Sequence, residues 1–268
     1  MKSKKLLVLI ASIAAVVVFI VILAAVFAVG EVNLVYHGFD GGQIGSPEEG
    51  GIASDSILKL AKGKSTIFLS KNKLLSQINT NYTDWHAFAV VKNFPNKVEI
   101  HLVKRTAILK IDVNGQEVYI DSFGYVTNKP EDGGRYIDVT SAFNGKSTDA
   151  KVMQPGQQFE FSVAENNARL KCVLEALVAT WRCMVEIPDL PAILAEQNAF
   201  SFADDGAMLI TPSSGGTIKV LAPETNLTER LIKSYGVYYN EYSNIQSSDW
   251  TITVHEGGNI TTPNPDKK

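Results

Sequence analysis

Residues 94–102, with the sequence FPNKVEIHL, decide the fold of the first half of this 268-residue chain. The tripeptide 94–96 predicts a turn, because proline fixes φ and removes a backbone donor. Every second residue after it is apolar, namely Val98, Ile100 and Leu102. A period of two is typical of a strand that is buried on one face.

Two helices and two further strands are predicted upstream of this segment. Residues 87–92 are strand-like, and Ser70 and Ser54 are placed to cap two short helices. Residues 32–36 form a short apolar stretch that predicts the first strand. The order strand, helix, helix, strand, strand predicts a small α+β module in which the helices cover one sheet face.

The second half of the chain predicts a mainly antiparallel β domain with two covering helices. Residues 118–126 have the pattern of a hairpin closed by Asp121 and Gly124. An apolar stripe from Leu170 to Trp181 predicts the first helix, and Asn226 with Glu229 resembles a capping box before the second. Further strands are predicted at 184–190, 199–203, 207–210, 217–221 and 250–255.

The N-terminus carries a long apolar run, Leu6–Val29, which contains no charged residue. Its length predicts a transmembrane helix, because a bilayer requires about 20 apolar residues. Lysines at positions 2, 4 and 5 place residues 1–5 in the cytoplasm and the rest of the chain outside. A cleaved signal peptide is the alternative, although such apolar regions are typically about 7 to 15 residues long.

Charge is distributed unevenly along the chain. Residues 31–110 hold 10 basic and 7 acidic residues, whereas residues 111–268 hold 12 basic and 21 acidic residues. An acidic distal part favours a protein partner and argues against a nucleic-acid function, which requires a basic excess. No nucleic-acid partner is therefore predicted.

No motif predicts catalysis, a cofactor or a metal site. Gly63-Lys64-Ser65 resembles the end of a phosphate-binding loop, but position 58 is leucine where that motif needs glycine. The four histidines lie outside any metal-binding spacing. Cys172 and Cys183 are predicted to be buried free thiols, with a disulfide as the alternative.

The order of these elements, together with Ile67-Phe68-Leu69 and the segment 94–98, resembles the FtsQ/DivIB family of bacterial cell-division proteins. The resemblance implies a POTRA domain followed by the family's β domain. The expected organisation is a cytoplasmic tail (1–5), a transmembrane helix (6–29), a POTRA domain (31–110), a β domain (111–256) and a polar tail (257–268).

The resemblance further implies a non-enzymatic divisome scaffold, located in the cell membrane at the division septum, that helps to organise septal peptidoglycan synthesis. It would bind coiled-coil membrane proteins of the FtsB/DivIC and FtsL types, and no small-molecule substrate. The partner is expected to add a strand to the final predicted strand, interpreted as a sheet edge. That strand consists of Trp250, Thr251, Ile252, Thr253, Val254 and His255.

Two other functions are kept as alternatives. A POTRA-bearing, membrane-anchored chaperone or polypeptide-translocation factor would bind many extended clients along the same sheet edge. An extracytoplasmic hydrolase would need a catalytic site that no sequence motif indicates.

Overall fold

The computed structural model describes residues 2–38, 51–82, 84–130, 136–143, 149–187, 199–212, 215–242 and 250–263. The chain forms two compact units, and the main division between them falls between Leu102 and Val103. Both units combine helices with sheets, so the predicted α+β class is confirmed.

The first unit begins with helix α1 (Lys2–Val26), whose described side chains, from Ala11 to Val26, are exposed. None of the helices in the described part of the chain combines the length and the apolar character needed to cross a membrane. The predicted transmembrane helix over residues 6–29 is therefore wrong. Helix α1 ends at Val26, and the predicted span ends at Val29, which is buried in the core of the first unit.

The rest of the first unit has the predicted order of strand, helix, helix, strand, strand. Its three strands form one sheet in the order β1-β3-β2. The elements are β1 (Glu31–His37), α2 (Gly51–Ala61), α3 (Lys71–Asn81), β2 (Trp85–Asn93) and β3 (Lys97–Lys104).

The core of the first unit lies between the two short helices and the sheet. Ile57 and Ile78 from the helices and Ile100 from β3 are fully buried. Ser70 is the N-cap of α3, as predicted, because its Oγ accepts a hydrogen bond from the Lys73 amide at 3.3 Å. The α3 helix is also fixed to β2, since the Asn79 side chain bonds both backbone groups of Ala87.

The second unit begins with a four-stranded sheet and a separate strand pair. The predicted hairpin at 118–126 is present, and Asp121 stabilises its turn by accepting hydrogen bonds from the amides of Phe123 and Tyr125. The sheet order is β6-β5-β4-β7. The strands are β4 (Leu109–Val113), β5 (Gln116–Ile120), β6 (Val126–Thr127), β7 (Ile137–Asp138), and the pair β8 (Ala150–Val152) and β9 (Glu160–Phe161).

A five-stranded sheet and two helices complete the second unit. The sheet order is β10-β11-β12-β13-β14, and all its neighbouring pairs are antiparallel except β12 and β13. The helices α4 and α5 pack against each other. The elements are α4 (Ala164–Glu186), β10 (Ala199–Phe202), β11 (Met208–Thr211), β12 (Thr217–Val220), α5 (Leu227–Val237), β13 (Thr251–Val254) and β14 (Ile260–Thr261).

Two local predictions for the helices of this unit are wrong. The strand predicted at 184–190 begins inside α4, which continues to Glu186, and residues 188–190 lie outside the described part. Asn226 precedes α5 as predicted, but its left-handed backbone (φ 46°) leaves it without a side-chain capping bond. The two cysteines on α4 are both free and buried, in agreement with the favoured alternative.

Candidate protein-binding edge

The six residues predicted to bind a partner lie on β13 and at its two ends. Trp250, Ile252 and Val254 are buried, whereas Thr251 is exposed and Thr253 is half-buried. His255 follows the strand and is also half-buried. The predicted alternation of core and surface residues is therefore present.

The position of this strand in the sheet differs from the expectation. β13 pairs with β12 on one side, in a parallel register from Thr217↔Thr251 to Val220↔Val254. On its other side it pairs with β14 through Thr253↔Thr261 and Val254↔Ile260. Strand β13 is thus an inner strand, and β14 is the edge strand of the sheet within the described residues.

Sequence analysis missed β14 because the segment 257–268 was interpreted as a polar tail. A local signal was present, since two glycines at 257 and 258 precede the β-branched run Ile260-Thr261-Thr262. Gly258 has φ +78° and donates its amide to the carbonyl of His255 at 2.9 Å. This turn reverses the chain and places β14 beside β13.

Backbone alternation determines which groups β14 presents outward. The His255 amide donates to the carbonyl of Asn259 at 2.9 Å, so residue 259 points toward β13. Because successive backbone groups of a strand point to opposite sides, those of Thr261 also face β13, and those of Ile260 face away from it. An extended partner chain would find outward hydrogen-bonding groups at Ile260.

A buried arginine on α5 supports the ends of β12 and β13. Arg230 is only 3% exposed, and its guanidinium donates to the carbonyls of Leu221 and Ala222 at 2.6 Å each and to that of His255 at 3.3 Å. Burial lowers the pKa of Arg230, although the carboxylates of Glu256 and Glu224 oppose that shift. The guanidinium therefore connects α5 to the residue at which the β14 turn begins.

The opposite end of the β12–β13 pair is fixed by close packing. Gly216 has φ +76°, and a Cβ atom at this position would lie 2.0 Å from the ring of Trp250. The Trp250 ring also packs against Tyr238, with 5.6 Å between the ring centroids. Position 216 therefore requires glycine both for its backbone angle and for the space that the indole occupies.

The other edge of the sheet, β10, is covered. A 3-10 helix (Thr140–Phe143) lies beside it, and the Ser141 hydroxyl donates to the carbonyl of Phe200 at 3.0 Å. The Arg169 guanidinium on α4 lies 4.9 Å from the centroid of the Phe202 ring and donates to the carbonyl of Ala142. These contacts occupy the edge at which a second partner strand would otherwise add.

Comparison with known proteins identifies no relative. The sequence matches no protein-family model, and no curated protein matches it. Within the described ranges, no group of three His, Cys, Asp or Glu side chains is arranged to hold a metal ion. The function is therefore inferred from the geometry of the β14 edge and from the sequence resemblance.

Proposed function

We propose that this protein is a non-enzymatic scaffold of the bacterial cell-division machinery that binds its partner by strand addition at β14. The observation that carries the proposal is the asymmetry of the five-stranded sheet. Its β10 edge is bonded by Ser141, whereas β14 directs the backbone groups of Ile260 away from the sheet. Strand addition uses such outward amide and carbonyl groups.

The partners proposed are coiled-coil proteins of the FtsB/DivIC and FtsL types, as the family resemblance implies. One extended segment of the pair would lie beside β14 and exchange hydrogen bonds with the backbone of Ile260. Residues 111–268 carry nine more acidic than basic residues, so a basic segment is favoured electrostatically. The complex would assemble at the division septum, where it would help to organise peptidoglycan synthesis.

The proposal is tested by two substitutions at one position. Ile260→Pro removes an outward backbone donor, whereas Ile260→Val keeps the donor and a β-branched side chain. Each full-length variant is co-expressed and co-purified with the FtsB/DivIC-type and FtsL-type proteins of the same organism. We expect the proline variant to lose most of the bound pair and the valine variant to retain it.

Circular dichroism spectra and melting temperatures of both variants serve as the folding control. Equal recovery of the coiled-coil pair with a folded proline variant would show that β14 is not the binding edge. A cellular test is independent of the site: depletion of the protein is expected to produce filaments, and a fluorescent fusion is expected to collect at the septum.

A chaperone or translocation factor is the second candidate, because an open strand edge would also accept extended client chains. The two functions differ in selectivity. A panel of unrelated extended peptides is expected to bind weakly or not at all to a scaffold, whereas the chaperone would bind many of them with similar affinity. Division without filaments after depletion, combined with broad peptide binding, would favour the chaperone.

A further inference from the structure

The described part of the first unit carries an exposed apolar patch. Phe68 is 87% exposed, Phe94 is 62% exposed and Ile67 is 47% exposed. Large apolar side chains that are exposed together usually mark an interaction site. We call these three residues and Phe27, which adjoins them, the apolar patch.

Hydrogen bonds hold the three segments of the apolar patch together. The Thr66 amide donates to the carbonyl of Phe27 at 2.7 Å, and the Thr66 hydroxyl donates to the carbonyl of Pro95 at 2.5 Å. The rings of Phe27 and Phe94 are in edge contact, with their centroids 6.3 Å apart. Thr66 is itself fully buried, so its hydrogen bonds fix the backbone segments that carry the exposed side chains.

Lysines lie beside this patch in the segments that carry Ile67, Phe68 and Phe94, and one of them, Lys97, is paired with Glu31 at 2.7 Å. Lys64 and Lys73 line a groove of about 340 Å³ together with Phe68, and the Lys92 ammonium donates to the carbonyl of Ile67 at 3.4 Å. Every charged residue in the segments 62–73 and 92–97 is a lysine. The ammonium groups therefore form a positive rim around projecting aromatic rings.

We propose that the apolar patch docks on the surface of an anionic lipid bilayer. Its aromatic rings would enter the boundary between headgroups and acyl chains, while the lysines contact lipid phosphates. A bilayer surface can bind the apolar side chains and the lysines at the same time, and it does not require shape complementarity. The surface also continues beyond Phe27, because the exposed large side chains of α1, from Ile13 to Val26, are apolar.

A tryptophan reporter in the full-length protein tests this placement directly. Phe68→Trp puts an indole in the apolar patch, and Tyr136→Trp puts one at an exposed aromatic position of the second unit. Vesicles of phosphatidylcholine and phosphatidylglycerol carry bromine on their acyl chains, which quenches any indole that reaches them. The signal of the parent protein, with its three buried tryptophans, is subtracted.

We expect strong quenching of F68W, weak quenching of Y136W, and loss of the F68W signal with phosphatidylcholine alone. Adding Lys64→Glu and Lys73→Glu to F68W should raise the lipid concentration for half-maximal quenching by about fivefold per lysine. Lys129→Glu, at a lysine of the second unit that is 70% exposed, should leave it unchanged.

Equal quenching of F68W and Y136W, or none of F68W, would overturn the proposal. An emission shift of F68W that requires the coiled-coil pair rather than lipid would also overturn it, and would assign the patch to a protein. Near-ultraviolet circular dichroism verifies that each variant is folded. The result is independent of strand addition, because the reporters do not involve β14.

Discussion

The two edges of the five-stranded sheet are built from the same kind of short strand but have different surroundings. At β10 the carbonyl of Phe200 is bonded by Ser141, and Arg169 lies over the Phe202 ring. Strand β14 has only two residues, and it pairs with β13 on its inner side. Among the described residues, local contacts therefore cover the β10 edge, whereas β14 is the outermost strand on the other side of the sheet.

Strand β14 is also shorter than β10, with two residues against four. A long, flat edge strand promotes indiscriminate pairing between copies of a protein, and short edge strands are one way in which proteins avoid it. A two-residue strand offers few hydrogen bonds by itself, so a partner must add contacts elsewhere to bind tightly. Because those further contacts depend on the partner's side chains, a short edge strand selects one partner more readily than a long edge strand does.

The largest effect is expected from Gly216→Ala, which alters the packing where β12 and β13 begin. The Cβ atom would collide with the Trp250 ring, and the positive φ adds its own cost, so we expect a loss of about 3–4 kcal/mol in the free energy of unfolding. Urea denaturation measures this loss. Gly206→Ala is the matched control, because Gly206 has φ +80° with open space around it, and it should cost about 1 kcal/mol.

Arg230→Ala is expected to weaken the β14 edge more than the β10 edge. It removes the donors to the carbonyls of Leu221, Ala222 and His255, at a cost of about 2–3 kcal/mol. Hydrogen exchange should accelerate at His255 and Thr261 before it does in β10. Uniform acceleration across the sheet would show that Arg230 supports the whole unit and not this edge.

A second arginine provides the control for that variant. Arg182 on α4 bonds the exposed carboxylates of Glu186 and Glu229. Because such ion pairs contribute about 0–1 kcal/mol, Arg182→Ala should change the stability little and leave the exchange of both edges similar.

Alkaline pH is expected to reduce the stability of both edges alike, because α4 contacts the β10 side directly and the β14 side through α5. It contacts the β10 side through Arg169 and α5 through Cys183, whose thiol donates to the carbonyl of Ile232. Burial raises the pKa of Cys183 to about 12 and that of Cys172 to about 11, from 9.0. The stability from the neutral thiols is complete below pH 9.0 and is lost as the pH rises toward these values.

Raising the pH from 9 to 10 should therefore lower the urea midpoint. The free energy of unfolding should fall by at most about 2–3 kcal/mol. The double variant Cys172→Ala, Cys183→Ala should show a flatter pH dependence, although it starts from a lower stability. An unchanged slope in that variant would assign the alkaline loss to the buried tyrosines.

The smallest effect is expected from Ser141→Ala, which uncovers part of the β10 edge. The lost hydrogen bond to Phe200 is neutral and partly exposed, so its removal should cost about 0.5–1 kcal/mol. Faster hydrogen exchange in β10 with unchanged exchange in β14 would sharpen the contrast between the edges. Unchanged exchange in β10 would mean that the 3-10 helix covers this edge without Ser141.

Several elements with local signals could be predicted from the sequence, although the strand at 184–190 and the Asn226 cap could not. The Ser70 cap, the alternation from Val98 to Leu102 and the hairpin around Asp121 all depend on residues close in the chain, and all three are present in the structure. In the helical stripe from Leu170 to Trp181, Leu174 and Val178 are half-buried and the other apolar residues are buried. Local propensity and periodicity agree with the tertiary structure at these positions.

The candidate edge was harder to predict, because strand neighbours are set by contacts distant in sequence. The alternation in 250–255 identified β13 correctly but not its place between β12 and β14. β14 has only two residues, too few for a periodic signal. Arg230 gave no signal at all, since its three carbonyl partners come together only in the folded unit.

The guanidinium of Arg230 has a mechanical consequence for the proposed scaffold. A pull on β14 along its own axis would load the β13–β14 hydrogen bonds in shear, so that they resist together. Part of that load would pass from His255 through Arg230 into α5, and from there into α4, with which α5 packs. The bond that positions the edge would thus also spread tension from a partner over the helical layer.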